Sequence, residues 1–211
     1  MKFVKIPLAT IMRMSVYSRY LIQMDKEGKE TVSSADIAAG ASVTPAQVRK
    51  DLAYFGEFGV RGVGYRIKDL IEHIKEILNL NNEWRLALVG VGSLGRALIA
   101  YQGFRENGFV VSCAFDSDPT KIGEFFAGVE VFAADRIREV ARQREADIGV
   151  ICVPAPEAQS AADALVAGGV KSILNFAPAS LTAPFSVHVR HVDLASQLEA
   201  LAFLLGDPRH G

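Results

Sequence analysis

The sequence has few residues of the kinds that bind metals or form disulfides: two cysteines and four histidines among 211 residues. The histidines are scattered without metal-ligand spacing, so no metal site is predicted. No apolar run reaches the roughly 18 residues of a membrane-spanning helix, and the N-terminus lacks the apolar core of a signal peptide. We therefore expect a soluble, cytoplasmic protein that uses neither a membrane nor a metal.

The two cysteines, Cys113 and Cys152, each lie inside an apolar run. In a reducing cytosol, such cysteines are most simply buried residues of the core. A redox-active thiol pair is the alternative interpretation.

The net charge is only −1, but the charges are unevenly distributed. Residues 1–78 hold 12 Lys and Arg against 9 Asp and Glu, whereas the remainder holds 11 against 15. A length of 211 residues permits one domain or two, and half of the residues are hydrophobic. A mildly basic first third and an acidic remainder suggest two parts with different partners.

A glycine-rich turn in the middle of the chain is the most informative stretch. The apolar residues 86–89 predict a buried strand, and a helix is predicted at 96–105. Between them, Gly90, Gly92 and Gly95 have the spacing G-x-G-x-x-G, which in this context is typical of dinucleotide binding. The first glycine permits the turn, the second admits a pyrophosphate, and the third lets the helix pack closely.

An acidic residue ends the next predicted strand, residues 109–115. Asp116 lies 21 residues after Gly95, near the position at which a carboxylate binds the adenosine ribose 2′-hydroxyl. A carboxylate would repel a 2′-phosphate, and the following Ser117 and Asp118 bring no adjacent arginine. The pattern favours NAD(H) over NADP(H); the alternative is an acidic loop residue without a ligand.

Strands and helices alternate through the rest of the chain. Further strands are predicted at 129–132, 147–153, 171–176 and 187–192, and helices at 133–144, 157–167 and 193–205. This order predicts an α/β fold with a doubly wound, mainly parallel Rossmann-type sheet. At its strand ends, Pro154, Asn175, Ala177 and Pro178 either border the nicotinamide or serve only as turn residues.

The first third begins with two predicted helices. Pro7 starts the first, whose apolar residues at helical spacing are Leu8, Ile11, Met12, Val16, Tyr20 and Met24. A short second helix runs from Ser33 or Ser34 to about Ala39.

A third helix completes the order of a helix-turn-helix. Thr44 is its predicted N-cap and Pro45 its first residue. Gln47, Arg49 and Lys50 lie near its N-terminal end, which normally meets the DNA bases.

A glycine-rich stretch at 57–66 then predicts a β-hairpin wing. Arg61 and Arg66 would be available to phosphates or the minor groove, although a plain surface hairpin is the alternative. An amphipathic helix at 67–79 would close a winged-helix DNA-binding domain of residues 1–79.

Nothing in the sequence supplies an obvious catalytic group. The predicted strand ends carry no histidine, and Tyr101 is the single candidate with a phenolic proton. The chain is therefore expected not to be an enzyme. An NAD-dependent oxidoreductase with an added interaction domain is the runner-up, and a CoA-binding module is a third possibility, against which Asp116 argues.

The predicted C-terminal helix is more apolar than one packing face requires. A Rossmann domain at 84–192 would be followed by a dimerisation helix within 193–211, exchanged between protomers. A two-fold dimer would bind an inverted repeat in DNA.

The whole chain resembles the Rex family of redox-sensing transcriptional repressors. The motifs that carry the resemblance are QVRKDL at 47–52, YFG at 54–56, G-x-RGVGY at 59–65, the glycine turn, and ILNFAP at 173–178. The resemblance implies a homodimer with a swapped C-terminal helix that binds operator DNA and releases it when NADH accumulates. NAD⁺ would compete for the site but leave the DNA-binding form.

The residue patterns and the resemblance together predict roles for individual residues. The DNA-binding set is Gln47, Arg49, Lys50, Arg61 and Tyr65. The cofactor-binding set is Gly90, Val91, Gly92, Ser93, Leu94, Gly95, Tyr101, Asp116, Val153, Pro154, Asn175, Ala177 and Pro178. At the subunit interface, Tyr101 would partner Asp193 of the other copy, followed here by Leu194 where the family often has Phe.

Overall fold

The computed structural model describes residues 6–56, 58–60 and 63–206. The chain divides into two compact units between Asn82 and Glu83, and each is described by itself. The first unit contains helices α1 (Leu8–Lys26), α2 (Ser34–Gly40), α3 (Pro45–Ala53) and α4 (Ile67–Ile77) and strands β1 (Thr31–Val32) and β2 (Tyr65–Arg66).

Local signals set the starts of the short helices in this unit. The Ser33 hydroxyl accepts the Asp36 backbone N–H, while the Asp36 carboxylate accepts the Ser33 N–H, which is a capping box. The Thr44 hydroxyl accepts the N–H of Gln47, and Pro45 occupies the first turn of α3. Both predicted helix starts are confirmed.

The buried face of α1 differs from the predicted one. Leu8 and Met12 are 48% and 57% exposed, whereas Met14, Tyr17 and Leu21 are fully buried. The apolar spacing is ambiguous because aliphatic residues occur on both sides of this helix. The side that turns inward is the one whose polar side chains reach a buried carboxylate on α3, described below.

The wing is held by strand pairing across the first unit. β1 and β2 pair antiparallel with Thr31 opposite Arg66, and Val60 forms a further antiparallel bridge with Gly64. Gly64 has a φ of +98°, and a Cβ there would overlap the carbonyl oxygen of Val32. Antiparallel pairing therefore occurs within the predicted wing at its described residues. The partner strand β1 has only two residues, too few for its sequence to show periodicity.

The second unit contains strands β3 (Trp84–Val89), β4 (Phe109–Asp116), β5 (Phe125–Phe126), β6 (Val129–Ala133), β7 (Ile148–Ile151), β8 (Ser172–Asn175) and β9 (His188–His191). Its helices are α5 (Ser93–Ile99), α6 (Gln102–Glu106), α7 (Ile137–Gln143), α8 (Ala155–Ala167) and α9 (Leu194–Gly206), with a 3-10 turn at Ala134–Arg136. In the described part of the chain, no helix combines the length and apolar character needed to cross a bilayer.

These strands form one sheet in the order β5-β6-β4-β3-β7-β8-β9. All neighbouring pairs are parallel except the short pair of β5 and β6 at one edge. Apart from β5, this is the strand order of a dinucleotide-binding sheet, and the order reverses between β3 and β7. Side chains of α7 and α8 pack on one face, and those of α5 and α6 on the other. The predicted α/β fold class is confirmed.

The helix after the glycine turn is interrupted. Ala100 and Tyr101 separate α5 from α6, and Tyr101 is extended, with φ −74° and ψ 106°. Its ring lies over Gly103, where a Cβ would come within 2.6 Å of the phenolic oxygen, and packs edge-on against Phe104. The continuous helix predicted at 96–105 is therefore wrong, because this ring packing accompanies a break at Tyr101.

The two cysteines lie on opposite faces of the sheet. Cys113 belongs to the cluster beneath α7 and α8, and Cys152 packs against the cluster on the α5 side. Burial raises the pKa of Cys113 to about 11 and that of Cys152 to about 12. We expect neither thiol to react with Ellman's reagent at neutral pH in the folded protein, and both to react in denaturant. Rapid labelling of the folded protein, or an intramolecular disulfide after mild oxidation, would contradict this expectation.

Candidate functional site

A crevice opens at the sheet edge between β3 and β7, where the strand order reverses. Gly90 has a φ of +97°, and a Cβ there would lie 2.6 Å from the carbonyl oxygen of Cys152. At Gly95, a Cβ would overlap the Gly90 carbonyl oxygen. Gly92 differs, because a Cβ built there meets no described atom within 4 Å. Packing of the protein itself thus requires the first and third glycines, whereas the second leaves room for a ligand.

The carboxylate of Asp116 ties the glycine turn to the end of β4. The residue is 8% exposed. Its Oδ2 accepts the N–H of Val91 at 2.8 Å and the ammonium of Lys121 at 3.1 Å, and its Oδ1 accepts the N–H of Asp118 at 2.9 Å. Burial acts to raise the pKa of Asp116, but these hydrogen bonds outweigh it and hold the pKa below its ordinary value. One lone pair of Oδ1, unused by the described donors, could accept a hydroxyl.

The crevice encloses a cavity of about 620 Å³. Of the predicted cofactor residues, those in its wall are Gly90, Gly92, Asp116, Val153 and Pro154. Those beside it, in the turn and the first turn of α5, are Val91, Ser93, Leu94 and Gly95. Those outside its wall are Tyr101, Asn175, Ala177 and Pro178. Within the described ranges, no His, Cys, Asp and Glu side chains gather in a group that could hold a metal ion.

The wall facing the glycine turn was not predicted. Lys121, which pairs with both Asp116 and Asp118, lies in the wall of the crevice beside these two carboxylates. Ile137 on α7 and Ala161 on α8 add an apolar surface of the kind that suits a flat aromatic base. The spacing of Lys121 from Asp118 could have suggested an ion pair, but only the fold brings the two helices to the crevice.

Asn175, at the end of β8, is fully buried and shapes the turn that follows. Its Oδ1 accepts the N–H of Ala177 at 3.0 Å, and its Nδ2 donates to the carbonyl oxygens of Ala177 and Ala179 at 3.1 and 2.9 Å. Nδ2 also lies 3.1 Å from Nδ1 of His191. The amide is thus committed to the turn, so its predicted role toward a cofactor would be indirect.

The residues predicted to meet a second subunit are exposed. Tyr101 is 59% exposed and Leu194 is 61% exposed. Asp193 caps α9, since its Oδ1 accepts the N–H groups of Ala195 and Ser196 at 2.9 and 3.1 Å. The pairing of Tyr101 with the Asp193 side chain of another copy stays a prediction.

A candidate DNA-binding surface in the first unit combines α3, the start of α2 and the wing. Arg49 and Lys50 are exposed on α3, and Nη1 of Arg49 donates to Oγ of Ser34 at 2.9 Å. A cleft of about 510 Å³ separates Arg49 from the wing, and Tyr65 lines it. Tyr65 is half-buried, which raises its pKa. Arg61 lies outside the described residues, so its contact with DNA stays a prediction.

No role was predicted for Asp51, a carboxylate on α3. Asp51 is fully buried and accepts hydrogen bonds from Arg13 (Nε at 2.6 Å, Nη2 at 2.8 Å), Gln47 (2.8 Å), Tyr17 (2.9 Å) and Thr10 (3.1 Å). Burial acts to raise its pKa, but these donors, Arg13 foremost, hold the pKa below its ordinary value. These five residues, called the Asp51 cluster, join α1 to α3.

Known proteins of similar sequence identify the family. The redox-sensing transcriptional repressor Rex of Desulfitobacterium hafniense is 56% identical over 209 residues, which cover 99% of this chain and 100% of that protein. The protein of the same name from Carboxydothermus hydrogenoformans is 57% identical over 203 residues, covering 96% of this chain and 98% of that protein. This chain belongs to the Rex family. The resemblance predicted from its motifs is confirmed.

Solved structures of the Rex family share this architecture. RSP, a Rex-family repressor, in complex with β-NAD⁺ and operator DNA has a TM-score of 0.91 and 33% identity, covering 96% of this chain and 93% of that one. RSP in complex with β-NADH has a TM-score of 0.87 and 32% identity, covering 96% and 95%. A family model described as "CoA binding domain" matches residues 81–179, and one described as "Putative DNA-binding protein N-terminus" matches residues 5–53.

Proposed function

We propose that this chain represses transcription by binding operator DNA with its first unit and sensing NADH with its second. The observation that carries the proposal is the match, over 96% of the chain, to a Rex-family repressor in complex with β-NAD⁺ and operator DNA. The space at Gly92 and the remaining acceptor on Asp116 suit a dinucleotide. Exposed Arg49, across the cleft from the wing, and exposed Lys50 on the same helix suit phosphates and base edges.

Redox sensing requires that NADH favours the DNA-free state over the DNA-bound state more strongly than NAD⁺ does. A ligand shifts a two-state protein only by its differential affinity for the two states. The two ligands differ by a hydride and one positive charge, and desolvating that charge in an apolar pocket costs free energy. Val153 and Pro154 give the crevice such a wall beside the glycine turn. Closure around NADH would then turn two recognition helices away from half-sites roughly 34–36 Å apart.

A fluorescence anisotropy titration tests the proposal. Labelled DNA with an AT-rich inverted repeat is bound at fixed salt, because salt alone changes the affinity, and NADH, NAD⁺ or CoA is added. We expect NADH to release the DNA at concentrations at which NAD⁺ and CoA leave the complex intact. Equal effects of NADH and NAD⁺ would contradict redox sensing, and release by CoA would favour a CoA-binding module. Turnover of NADH with small carbonyl substrates, which we do not expect, would favour an oxidoreductase.

A second copy of the chain is proposed to cover α9. No residue of α9 is buried in the described chain, and Leu198, Leu201 and Leu205 share one face at helical spacing. On the α5 side of the sheet, Leu174 and Phe176 are only partly buried. Exchange of α9 between two protomers would cover both apolar surfaces and present two α3 helices to an inverted repeat.

Charge on the apolar face of α9 should separate the two protomers. The double variant Leu198→Glu/Leu201→Glu is expected to be monomeric in light scattering and to bind operator about tenfold more weakly, because one protomer fills only one half-site. Ala200→Glu, which adds a charge away from that face, should behave as the wild type. A double variant that stays dimeric with full operator affinity would contradict the exchange of α9.

Arg49→Ala is expected to lower operator affinity about tenfold, because an exposed base or phosphate contact is lost from α3. NADH affinity should not change, since Arg49 belongs to the first unit. Lys75→Ala is the control, because it removes a cation of α4 that already pairs with Glu72 at 2.9 Å. Anisotropy and NADH titrations measure both affinities, and loss of both in Arg49→Ala would contradict the assignment of separate sites.

A further inference from the structure

The amide of Gln47 lies between a buried carboxylate and the accessible side of α3. Its Nε2 donates to Oδ1 of Asp51 at 2.8 Å, across the four-residue spacing that brings side chains together on a helix. Asp51 is fully buried, whereas Gln47 is partly exposed. The amide nitrogen of Gln47 is thus held by a buried carboxylate, while the side chain remains partly accessible to solvent.

The hydrogen bonds to Asp51 fix the orientation of the Gln47 amide. Arg13 donates to both carboxylate oxygens of Asp51, and Tyr17 and Thr10 donate to one oxygen each. An ionised carboxylate can only accept, so the Gln47 nitrogen must face it and the Gln47 oxygen must face away. A flipped amide would set oxygen against oxygen at a buried site. No residue that the structure describes donates to the Gln47 oxygen.

We propose that Asp51 is a positioning residue for base recognition, which holds the Gln47 amide so that its oxygen and its second N–H are presented to the major groove. This pair matches adenine, whose major-groove edge offers an acceptor at N7 and a donor at N6. Guanine offers two acceptors on the same edge and therefore gives the amide oxygen no partner. The inference deepens the DNA-binding function proposed above and rests on it.

A purely structural role for Asp51 predicts a different result. The ion pair with Arg13 and the bonds around it join α1 to α3, so breaking the cluster also destabilises the unit. Such destabilisation would weaken binding to all DNA sequences alike. Loss of the Gln47 orientation should instead relax the preference at one base pair in each half-site. A profile of affinities across base substitutions therefore separates the two roles.

The test compares the wild type with Arg13→Met/Asp51→Asn. Asp51→Asn alone would leave the Arg13 cation unpaired, and Arg13→Met alone would leave a fully buried carboxylate without its cation, so the two changes are made together. An asparagine at position 51 can donate or accept, so the Gln47 amide can adopt either orientation. Each protein is titrated by anisotropy against operators in which every base pair of a half-site is replaced in turn. We expect the wild type to show a roughly tenfold preference for one A·T pair, and the double variant to lose it.

Gln47→Met examines the same base pair and leaves the ion pair of Asp51 with Arg13 in place. It should lose the preference at that pair and at no other, with melting temperature and NADH affinity reporting on the fold. The inference is overturned if the double variant keeps the preference. It is also overturned if Gln47→Met changes no preference, a result that holds whether or not the double variant folds. Failure of the wild type to bind operator would instead contradict the proposed function.

Discussion

Gly92→Ala is expected to weaken NADH binding by at least about a hundredfold and to leave the melting temperature unchanged. Gly92 has a φ of −81°, which side chains of the L series adopt freely, and a Cβ there meets no described atom within 4 Å. The added methyl group would occupy the space through which a pyrophosphate approaches the start of α5. NADH fluorescence titration and thermal unfolding measure the two effects.

Gly95→Ala is the matched comparison for this prediction. A Cβ at Gly95 would overlap the carbonyl oxygen of Gly90 and lie 3.2 Å from Cδ2 of Leu88, so α5 must shift. We expect a loss of stability of roughly 1–3 kcal/mol together with weaker NADH binding. If Gly92→Ala destabilised the protein equally, or bound NADH like the wild type, the space at Gly92 would not be where a ligand lies.

Elements that depend on neighbouring residues were predictable from the sequence. Ser33 and Thr44 cap their helices through bonds that span three residues, and the sequence places these donors and acceptors directly. The turn from Gly90 to Gly95 is equally local. The mainly parallel sheet followed from alternating apolar strands and helices, since parallel strands need such crossovers.

Features that depend on distant residues were not predictable. The inward face of α1 is set by Asp51, which lies 38 residues after Arg13. Aliphatic spacing alone suggested another face of α1. The buried face carries the polar donors of Asp51, and aliphatic spacing cannot reveal them. β1 is likewise defined by its pairing with β2 across the unit. The break at Tyr101 is different, since the ring packs on Gly103 and Phe104 nearby in the chain, and the apolar spacing of 96–105 did not indicate it.

The same distinction applies to the candidate dinucleotide site. Gly90, Gly92 and Asp116 were found because the glycine spacing and the strand end are visible in the chain. Ile137 and Ala161 carry no chemical signal, and they reach the crevice only because α7 and α8 pack on one face of the sheet. The Rossmann order therefore predicts where a ligand binds better than which side chains surround it.

Asp116→Ala is expected to weaken NADH binding by about a hundredfold, because the carboxylate serves both the ligand and the glycine turn. Removing Oδ2 leaves the Val91 N–H without its acceptor and Lys121 with Asp118 alone, which weakens the support of the glycine turn by roughly 1–3 kcal/mol. Removing Oδ1 takes away the proposed acceptor for the ribose hydroxyl, at roughly 1.5–3 kcal/mol more. Operator affinity without dinucleotide should be preserved, since Asp116 belongs to the second unit.

Binding of 2′-deoxy-NADH separates these two contributions. In the wild type, the deoxy ligand lacks the donor for Oδ1 of Asp116 and should bind about tenfold more weakly than NADH. In Asp116→Ala the two ligands should bind equally. The difference between the wild type and Asp116→Ala in affinity for 2′-deoxy-NADH then measures what Asp116 contributes through the glycine turn. Lys121→Met keeps the bond to Val91 and should still discriminate between the ligands. Equal binding of both ligands by the wild type would exclude the ribose contact and leave Asp116 as an anchor of the turn alone.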